Sequence, residues 1–254
     1  PRLSWDAGAM SQATPTSSDS PAPASEATNK LPSGGGQPKA FSLRRVQIAV
    51  ASTLAACALA MPLDPLVFGR FDHIDLGAMD WYRMLRIVGY LPTWLIVALA
   101  FVLIDSKRAP KIGWPLATSR MGLMGMSVIL AAIIAELMKL GVRRLRPNAA
   151  DGQYLFRAWT DGPLNNSGLG MPSSHAAVAF AAMTLLCYLY PRAAIVWIPL
   201  AIGCALSRCI TDAHFISDAA VGAALGILAA KAVWHDHLSR HHLDPQRMTD
   251  RPFA

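Results

Sequence analysis

The stretch MGLMGMSVILAAIIAELMKLGVRRLRP, residues 121–147, decides the fold class, because a long apolar run ends there in a cluster of cations. Residues 121–138 carry one charged side chain, Glu136, and are long enough to cross the hydrocarbon core of a bilayer as an α-helix. Pro147 is expected to end the helix, since proline has no amide N–H and its ring clashes with the preceding turn. The stretch therefore predicts a membrane-spanning helix with a cationic end.

Apolar residues dominate the rest of the chain as well. Of the 254 residues, 53% are hydrophobic and 15% are charged, and the mean hydropathy is +0.33, so the apolar content exceeds that of typical soluble proteins. Six segments are apolar and long enough to be transmembrane helices: 46–63, 85–104, 121–138, 176–190, 193–206 and 219–234. The sequence predicts an all-α polytopic membrane protein, a six-transmembrane-helix bundle formed by residues 41–238.

The two ends of the chain differ from this domain in composition. Residues 1–40 are rich in Ser, Pro, Gly and Ala, which predicts a disordered polar tail. Residues 239–254 are predicted to be a polar C-terminal tail. A metal site could be formed by His235, Asp236, His237, His241 and His242, but a solvated basic tail is the favoured interpretation. No metal and no cofactor is predicted.

The cationic end of the opening stretch is the first of three polar blocks, residues 139–147. Lys139 and Arg146 are seven residues apart, so a helix that continues to Pro147 places both on one face. Arginine suits forked hydrogen bonding with phosphoryl oxygens and lysine acts as a point charge, which makes the pair a candidate phosphate clamp. Cations that snorkel from the end of a spanning helix are the alternative.

The second block, residues 172–175, reads Pro-Ser-Ser-His and precedes the apolar run from Ala176. Its backbone amides are expected at a helix N-terminus, where anions bind well. Ser173 and Ser174 could equally be ordinary N-caps. A capping role does not explain His175.

The third block, residues 207–218, begins with Ser-Arg and contains His214 and Asp218. On a helix these two residues are neighbours at i and i+4, so the carboxylate can accept the proton of one ring nitrogen and leave the other as a nucleophile. A structural His-Asp cap is the alternative for this block alone.

The net charge of the chain, +7 with a pI near 9.6, raises the question of nucleic acid as a partner. The cations divide between two membrane faces and no nucleic-acid-binding motif is present. An anionic substrate is the better match.

Taken together, the three blocks resemble the signature of the type 2 phosphatidic acid phosphatase superfamily. That signature is Lys, six residues, Arg-Pro; then Pro-Ser-Gly-His; then Ser-Arg, five residues, His, three residues, Asp. The resemblance covers residues 139–218 and departs from the pattern at Ser174, where the family has glycine. A backbone amide survives this change, but a turn that needs positive φ would be strained by serine.

The resemblance implies a metal-independent phosphatase. His214 would attack phosphorus to form a phosphohistidine, Asp218 would orient it, and His175 would protonate the departing oxygen. The phosphoryl oxygens would be bound by Lys139, Arg146, Ser173, Ser174 and Arg208.

The implied substrate is the phosphate or diphosphate headgroup of a lipid, such as undecaprenyl diphosphate, phosphatidylglycerophosphate, phosphatidic acid or lipid A. Two alternatives from other classes are a vanadium-dependent haloperoxidase-like enzyme and a catalytically idle membrane scaffold. The sequence predicts no oligomeric state.

The distribution of cations predicts the orientation. With the N-terminus in the cytoplasm and six crossings, 14 of the 23 Lys and Arg residues lie on the cytoplasmic side and 9 on the opposite side. The three blocks then face away from the cytoplasm. We expect an integral protein of a bacterial cytoplasmic membrane with its active site facing the periplasm or exterior.

Three smaller features carry expectations of their own. Glu136, one turn before Lys139, is expected to pair with the lysine rather than to relay protons. Gly222 and Gly226 form a GxxxG pattern, for which close packing inside the bundle is favoured over dimerisation. Residues 70–86 alternate charged and aromatic residues, as in an interfacial helix that anchors the outer interface or lines a lipid entrance.

Overall fold

The computed structural model describes residues 43–71, 76–106 and 119–241. The predicted disordered tail at residues 1–40 and the C-terminal segment from residue 242 lie outside these ranges. Apart from isolated bridges in one loop, the described residues are helical or irregular and contain no strand. The predicted all-α class is confirmed.

Eight α-helices follow one another along the described chain. They are α1 (Leu43–Ala60), α2 (Asp64–Val67), α3 (Asp80–Val88), α4 (Leu91–Ser106), α5 (Ser119–Val142), α6 (Ser174–Leu189), α7 (Ala194–Ile210) and α8 (Ile216–His241). Short 3₁₀ turns at Met61–Leu63, Leu76–Ala78, Pro147–Ala149 and Pro191–Ala193 lie between them.

Four of the described helical segments are long and apolar enough to cross a membrane: Leu43–Val67, Arg120–Val142, Pro191–Ile210 and Ile216–Ser239. Helices α3 and α4 pass the same test only as a pair, which is bent by 65°. Helix α6 is apolar but, at 16 residues, shorter. Four or five such helices are compatible with an integral membrane protein, and the predicted span 176–190 falls on the short helix α6.

The predicted span 85–104 is interrupted where α3 meets α4. A Cβ atom on Gly89 would lie 2.7 Å from Cβ of His175 and 2.8 Å from its carbonyl oxygen, so only glycine permits this approach. Pro92 in the first turn of α4 favours a new helix start, because proline fits there without losing a hydrogen bond. The chain therefore bends against the first turn of α6.

Helix α6 lies at the centre of the bundle and packs against α5, α7 and α8. The closest approach is to α8, where a Cβ on Gly222 would lie 2.4 Å from the carbonyl oxygen of Ser173 and one on Gly226 2.2 Å from that of Ala177. The GxxxG pattern thus packs inside the bundle, as predicted. The contact fixes α8 against the helix that begins at the second polar block.

A buried ion pair joins three helices at the end remote from that block. Arg120 at the start of α5 donates from Nε to Oδ2 of Asp105 at 2.7 Å, and its Nη2 binds the other oxygen of that carboxylate. Its Nη1 donates to the hydroxyl of Tyr190 at 2.8 Å, just after α6. A buried cation of this kind is stable only when its donors are satisfied in this way.

Candidate active site

The first block does not continue the helix, contrary to the prediction. Helix α5 ends at Val142, and Arg143 adopts a left-handed conformation with φ 59°. Bridges from Arg144 to Phe156 and from Leu145 to Leu169 then hold the chain in an extended form. Lys139 is on the helix and Arg146 follows in extended backbone, so the predicted shared helix face was wrong.

The Arg143 guanidinium explains why the helix ends there. It donates to the carbonyl oxygens of Arg157 (3.2 Å), Ala158 (2.9 Å), Asp161 (2.6 Å), Gly162 (3.5 Å) and Pro163 (3.1 Å), and its side chain is 1% exposed. Arg143 therefore organises the loop of residues 143–173 that carries the second block.

Lys139 belongs to a polar cluster with Glu136 and Ser174. Its Nζ lies 2.8 Å from Oε1 of Glu136, as predicted for this pair, and also contacts Oγ of Ser174. The Ser174 hydroxyl in turn donates to Glu136. Ser174 is the first residue of α6 and is not among the positive-φ residues, so serine is not strained in the position where the family has glycine.

Ser173 is the N-cap of α6, and its hydroxyl accepts from the amide of Ala176 at 3.5 Å. Its own amide donates to the carbonyl oxygen of Asp218 at 3.0 Å, which joins the second block to the third. His175 occupies the first turn of α6 and is partly exposed. The second block therefore forms the start of a helix, as predicted, and the anion site at its amides stays a prediction.

His214 and Asp218 are adjacent, but not on one helix as predicted. Helix α8 begins at Ile216, because the amide of Phe215 donates to Oδ2 of Asp218 at 2.9 Å and caps the helix start. Nδ1 of His214 lies 3.7 Å from the same Oδ2, longer than a hydrogen bond. Among the described residues Nδ1 has no other partner, so a small shift of the ring would complete the pair.

Burial lowers the pKa of His214 below its usual value, and the charges of Arg208 and Arg146 act in the same direction. The carboxylate of Asp218 opposes this shift. The imidazole is therefore neutral near pH 7, as a nucleophile must be.

Arg144 is a site residue that the sequence analysis missed. Its Nη2 binds Oδ1 of Asp218 and donates to Oγ of Ser217 at 2.7 Å. The guanidinium packs against a pair of touching rings, 5.0 Å from the centroid of Tyr154 and 4.8 Å from that of Phe215. The sequence offered one signal for Arg144: it belongs to the cluster of arginines in the first block.

Asp64 in α2 is a second residue that was missed. Its Oδ1 accepts from the amide of Ser217 at 2.8 Å, and its Oδ2 accepts from the hydroxyls of Ser217 at 2.6 Å and Tyr154 at 2.8 Å. Burial and the bond to Asp64 raise the pKa of Tyr154 to about 12. The signal in the sequence was a carboxylate at the end of an apolar run, which is rare without a partner.

The remaining predicted cations lie at the same place. Arg208, in the last turn of α7, donates from Nη1 to the hydroxyl of Tyr82 at 2.8 Å, and its Nε has no partner among the described residues. Arg146 donates from Nε to the carbonyl oxygen of Leu169 at 3.3 Å. The charges of Arg146 and Arg208 both act on the imidazole of His214. The imidazole of His175 is close enough to Lys139, Arg208 and His214 for their charges to act on it. Residues of all three blocks therefore lie near one another around the two histidines.

No three His, Cys, Asp or Glu side chains within residues 43–71, 76–106 and 119–241 are grouped so that they could hold a metal ion. The site consists of one buried imidazole, a carboxylate, a second imidazole, several cations and a helix N-terminus. Such a set is suited to binding and transferring a phosphoryl group.

An apolar helical bundle with this arrangement at its helix ends has the character of a membrane-associated phosphate hydrolase. The comparison with protein families agrees: the PAP2 superfamily model matches residues 120–241, a range that includes all three blocks. The suspected resemblance is confirmed, and this match indicates a phosphatase-type hydrolase acting on lipid-like phosphates. No curated protein and no solved structure matches the chain.

Proposed function

We propose that the protein is an integral membrane phosphatase that removes phosphate from the headgroup of a lipid phosphate or diphosphate through a phosphohistidine at His214. The observation that carries the proposal is the buried imidazole of His214, which lies beside Asp218 and is acted on by cations from separate parts of the chain.

In the first step, Nε2 of His214 attacks phosphorus and forms an N–P bond. The bond from phosphorus to the leaving oxygen breaks, and that oxygen keeps the electron pair and takes a proton from His175. His175 enters this step protonated, a form that the negative charge of the bound phosphate favours. As positive charge develops on the imidazole, its Nδ1–H closes the 3.7 Å gap to Asp218. Arg144 and the amide of Phe215 hold that carboxylate in place meanwhile.

In the second step, water attacks the phosphohistidine and gives its proton to His175. The N–P bond breaks, inorganic phosphate leaves and both histidines return to their starting states. The balance is lipid phosphate plus water to lipid alcohol plus inorganic phosphate, or lipid diphosphate plus water to lipid monophosphate plus inorganic phosphate.

The phosphoryl oxygens are proposed to bind Arg146, Arg208, Lys139 and the amides at the start of α6. Lys139 is already paired with the carboxylate of Glu136. The hydrogen bonds of the other two cations are to neutral groups: Arg146 donates to the carbonyl oxygen of Leu169 and Arg208 to the hydroxyl of Tyr82. The two arginines therefore supply most of the uncompensated charge for a phosphate dianion. Removal of one such donor should cost on the order of 3 kcal/mol of transition-state stabilisation.

The membrane topology is part of the proposal. We take the bent pair α3–α4 and the short helix α6 as the second and fourth of six crossings, with the site facing the periplasm or exterior. The 16 residues of α6 span about 24 Å, less than a hydrocarbon core of roughly 30 Å. Its N-terminal site would therefore lie below the headgroup surface, where a lipid phosphate has better access than a soluble one.

The experiment is a phosphate-release assay of the detergent-purified protein on a panel of lipid phosphates, with EDTA present. We expect His214→Ala to lower kcat by at least about 1,000-fold, and the exposed Arg192→Gln, at the far end of α6, to have full activity. Substrate labelled with ³²P should leave an acid-labile, alkali-stable label on the wild type and none on His214→Ala. Activity that survives His214→Ala, or that EDTA abolishes, would contradict the proposal.

A further inference from the structure

A groove of about 450 Å³ opens beside His175, and the other residues that line it lie outside the three blocks. Its walls are Arg83, Arg86, Ile87 and Tyr90, together with His175 itself. The described lining contains two cations and no carboxylate. It therefore has the charge of a site for an anion, next to the imidazole that serves the leaving group.

The bend between α3 and α4 places these side chains. Because Gly89 touches the backbone of His175, the last turn of α3 is held directly against the first turn of α6. Arg86 precedes this contact by three residues, about one helical turn. Its charge acts on both His175 and Arg208, so it is part of the same electrostatic environment.

The two arginines of the groove differ in their partners. Arg83 donates to the carbonyl oxygen of Gly77 at 2.9 Å and lies 3.6 Å from Asp80. The side chain of Arg86 makes no hydrogen bond and no ion pair within the described ranges, and it is exposed. Of the two, Arg86 is the cation available to a ligand.

Resting on the proposed function, we infer that Arg86 is a specificity-determining residue that binds an anionic group carried by the leaving group of the substrate. His175 protonates the departing oxygen, so the leaving group emerges on the side of phosphorus where Arg86 lies. An alcohol would offer that guanidinium nothing to bind, whereas a lipid monophosphate would offer a phosphate. The favoured substrate is therefore a lipid diphosphate.

The bond changes follow from this placement. The N–P bond forms between His214 and the terminal phosphorus, while the bond from that phosphorus to the bridging oxygen breaks. The bridging oxygen keeps the electron pair and receives the proton of His175. The product is a lipid monophosphate whose charge faces Arg86, and Ile87 and Tyr90 offer apolar surface to the first carbons of the chain.

A matched substrate pair tests the inference: farnesyl diphosphate and farnesyl phosphate, which share one apolar tail. Initial rates in detergent give kcat/KM for wild type, Arg86→Gln and Arg86→Lys. We expect Arg86→Gln to lower kcat/KM for the diphosphate about tenfold or more and for the monophosphate less than about twofold. Arg86→Lys should recover part of the loss because it retains the charge.

Arg192→Gln is the matched control, since it removes an exposed arginine from the other end of α6 and should change neither substrate. Equal losses on both substrates, or no loss on either, would overturn the role of Arg86. Wild type that hydrolyses the monophosphate but not the diphosphate would overturn it too, while leaving the proposed function intact. Hydrolysis of neither substrate or any other lipid phosphate would overturn the proposed function itself.

Discussion

Nδ1 of His214 lies 3.7 Å from Oδ2 of Asp218, while the guanidinium of Arg144 binds the other oxygen of the same carboxylate. Asp218 is fully buried, and its carboxylate is shared between the guanidinium of Arg144 and the imidazole of His214. Because Arg144 and the amide of Phe215 fix the carboxylate, the ring of His214 is the partner that moves when the two come into hydrogen-bond contact.

Arg144→Ala should destabilise the protein and abolish phosphatase activity. The substitution leaves Asp218 buried without its cation, and breaking a buried pair in this way costs about 3 kcal/mol or more. Thermal unfolding in detergent would show a lower Tm, and Arg144→Lys should recover part of it. An unchanged Tm in Arg144→Ala would show that the pair contributes little.

Asp64→Asn should lower kcat with little effect on KM. The amide has one acceptor oxygen in place of the two that hold Ser217 and Tyr154, so the first turn of α8 loses its fixed position. Misplacement of a catalytic group on this scale costs roughly 10- to 100-fold. Tyr154→Phe, which removes only one of these bonds, should have a smaller effect, and the reverse order of the two variants would argue against Asp64 as the anchor.

The pH dependence of kcat/KM should reflect His214. The proposed nucleophile is active when neutral and burial lowers its pKa, so activity should fall only below pH 6.5, about the ordinary pKa of histidine. Asp218→Asn removes a group that raises this pKa, and the acidic limb should move to still lower pH in the residual activity. A limb at or above pH 6.5 in the wild type would contradict the expected shift.

Gly226→Ala should destabilise the bundle by about 3 kcal/mol. The added methyl group would lie 2.2 Å from the carbonyl oxygen of Ala177 and 2.8 Å from the amide of Ala181, which forces α8 away from α6. Gly125→Ala is the control, because a Cβ there meets nothing within 4 Å and alanine favours helix. Equal Tm values for the two variants would refute the packing argument.

The fold class and the main polar residues could be predicted from local signals. An apolar run indicates a helix by itself, because its length and composition can be read without knowing what the rest of the chain contacts. Lys139, Arg208 and His214 stood out because charges beside apolar runs are few. The break at Gly89 was not predictable in this way, since its cause is a contact with His175, far away in sequence.

The residues that hold the site were missed for the same physical reason. Asp64 and Arg144 act through Ser217 and Asp218, which they reach only after the chain has folded. The local geometry of His214 was also misjudged, because the cap between Phe215 and Asp218 delays the start of α8. Periodicity alone extends a helix until a proline or glycine stops it, and it takes no account of such side-chain caps.

The hydrogen bonds of Arg143 bear on how a substrate enters the site. One guanidinium joins the carbonyl groups of Arg157, Ala158, Asp161, Gly162 and Pro163, so this segment is held in one conformation. The groove beside α3 is a separate opening next to His175 and does not depend on movement of that segment. Under the proposed topology, a lipid substrate would enter the site through this groove, directly from the bilayer and without transfer into water.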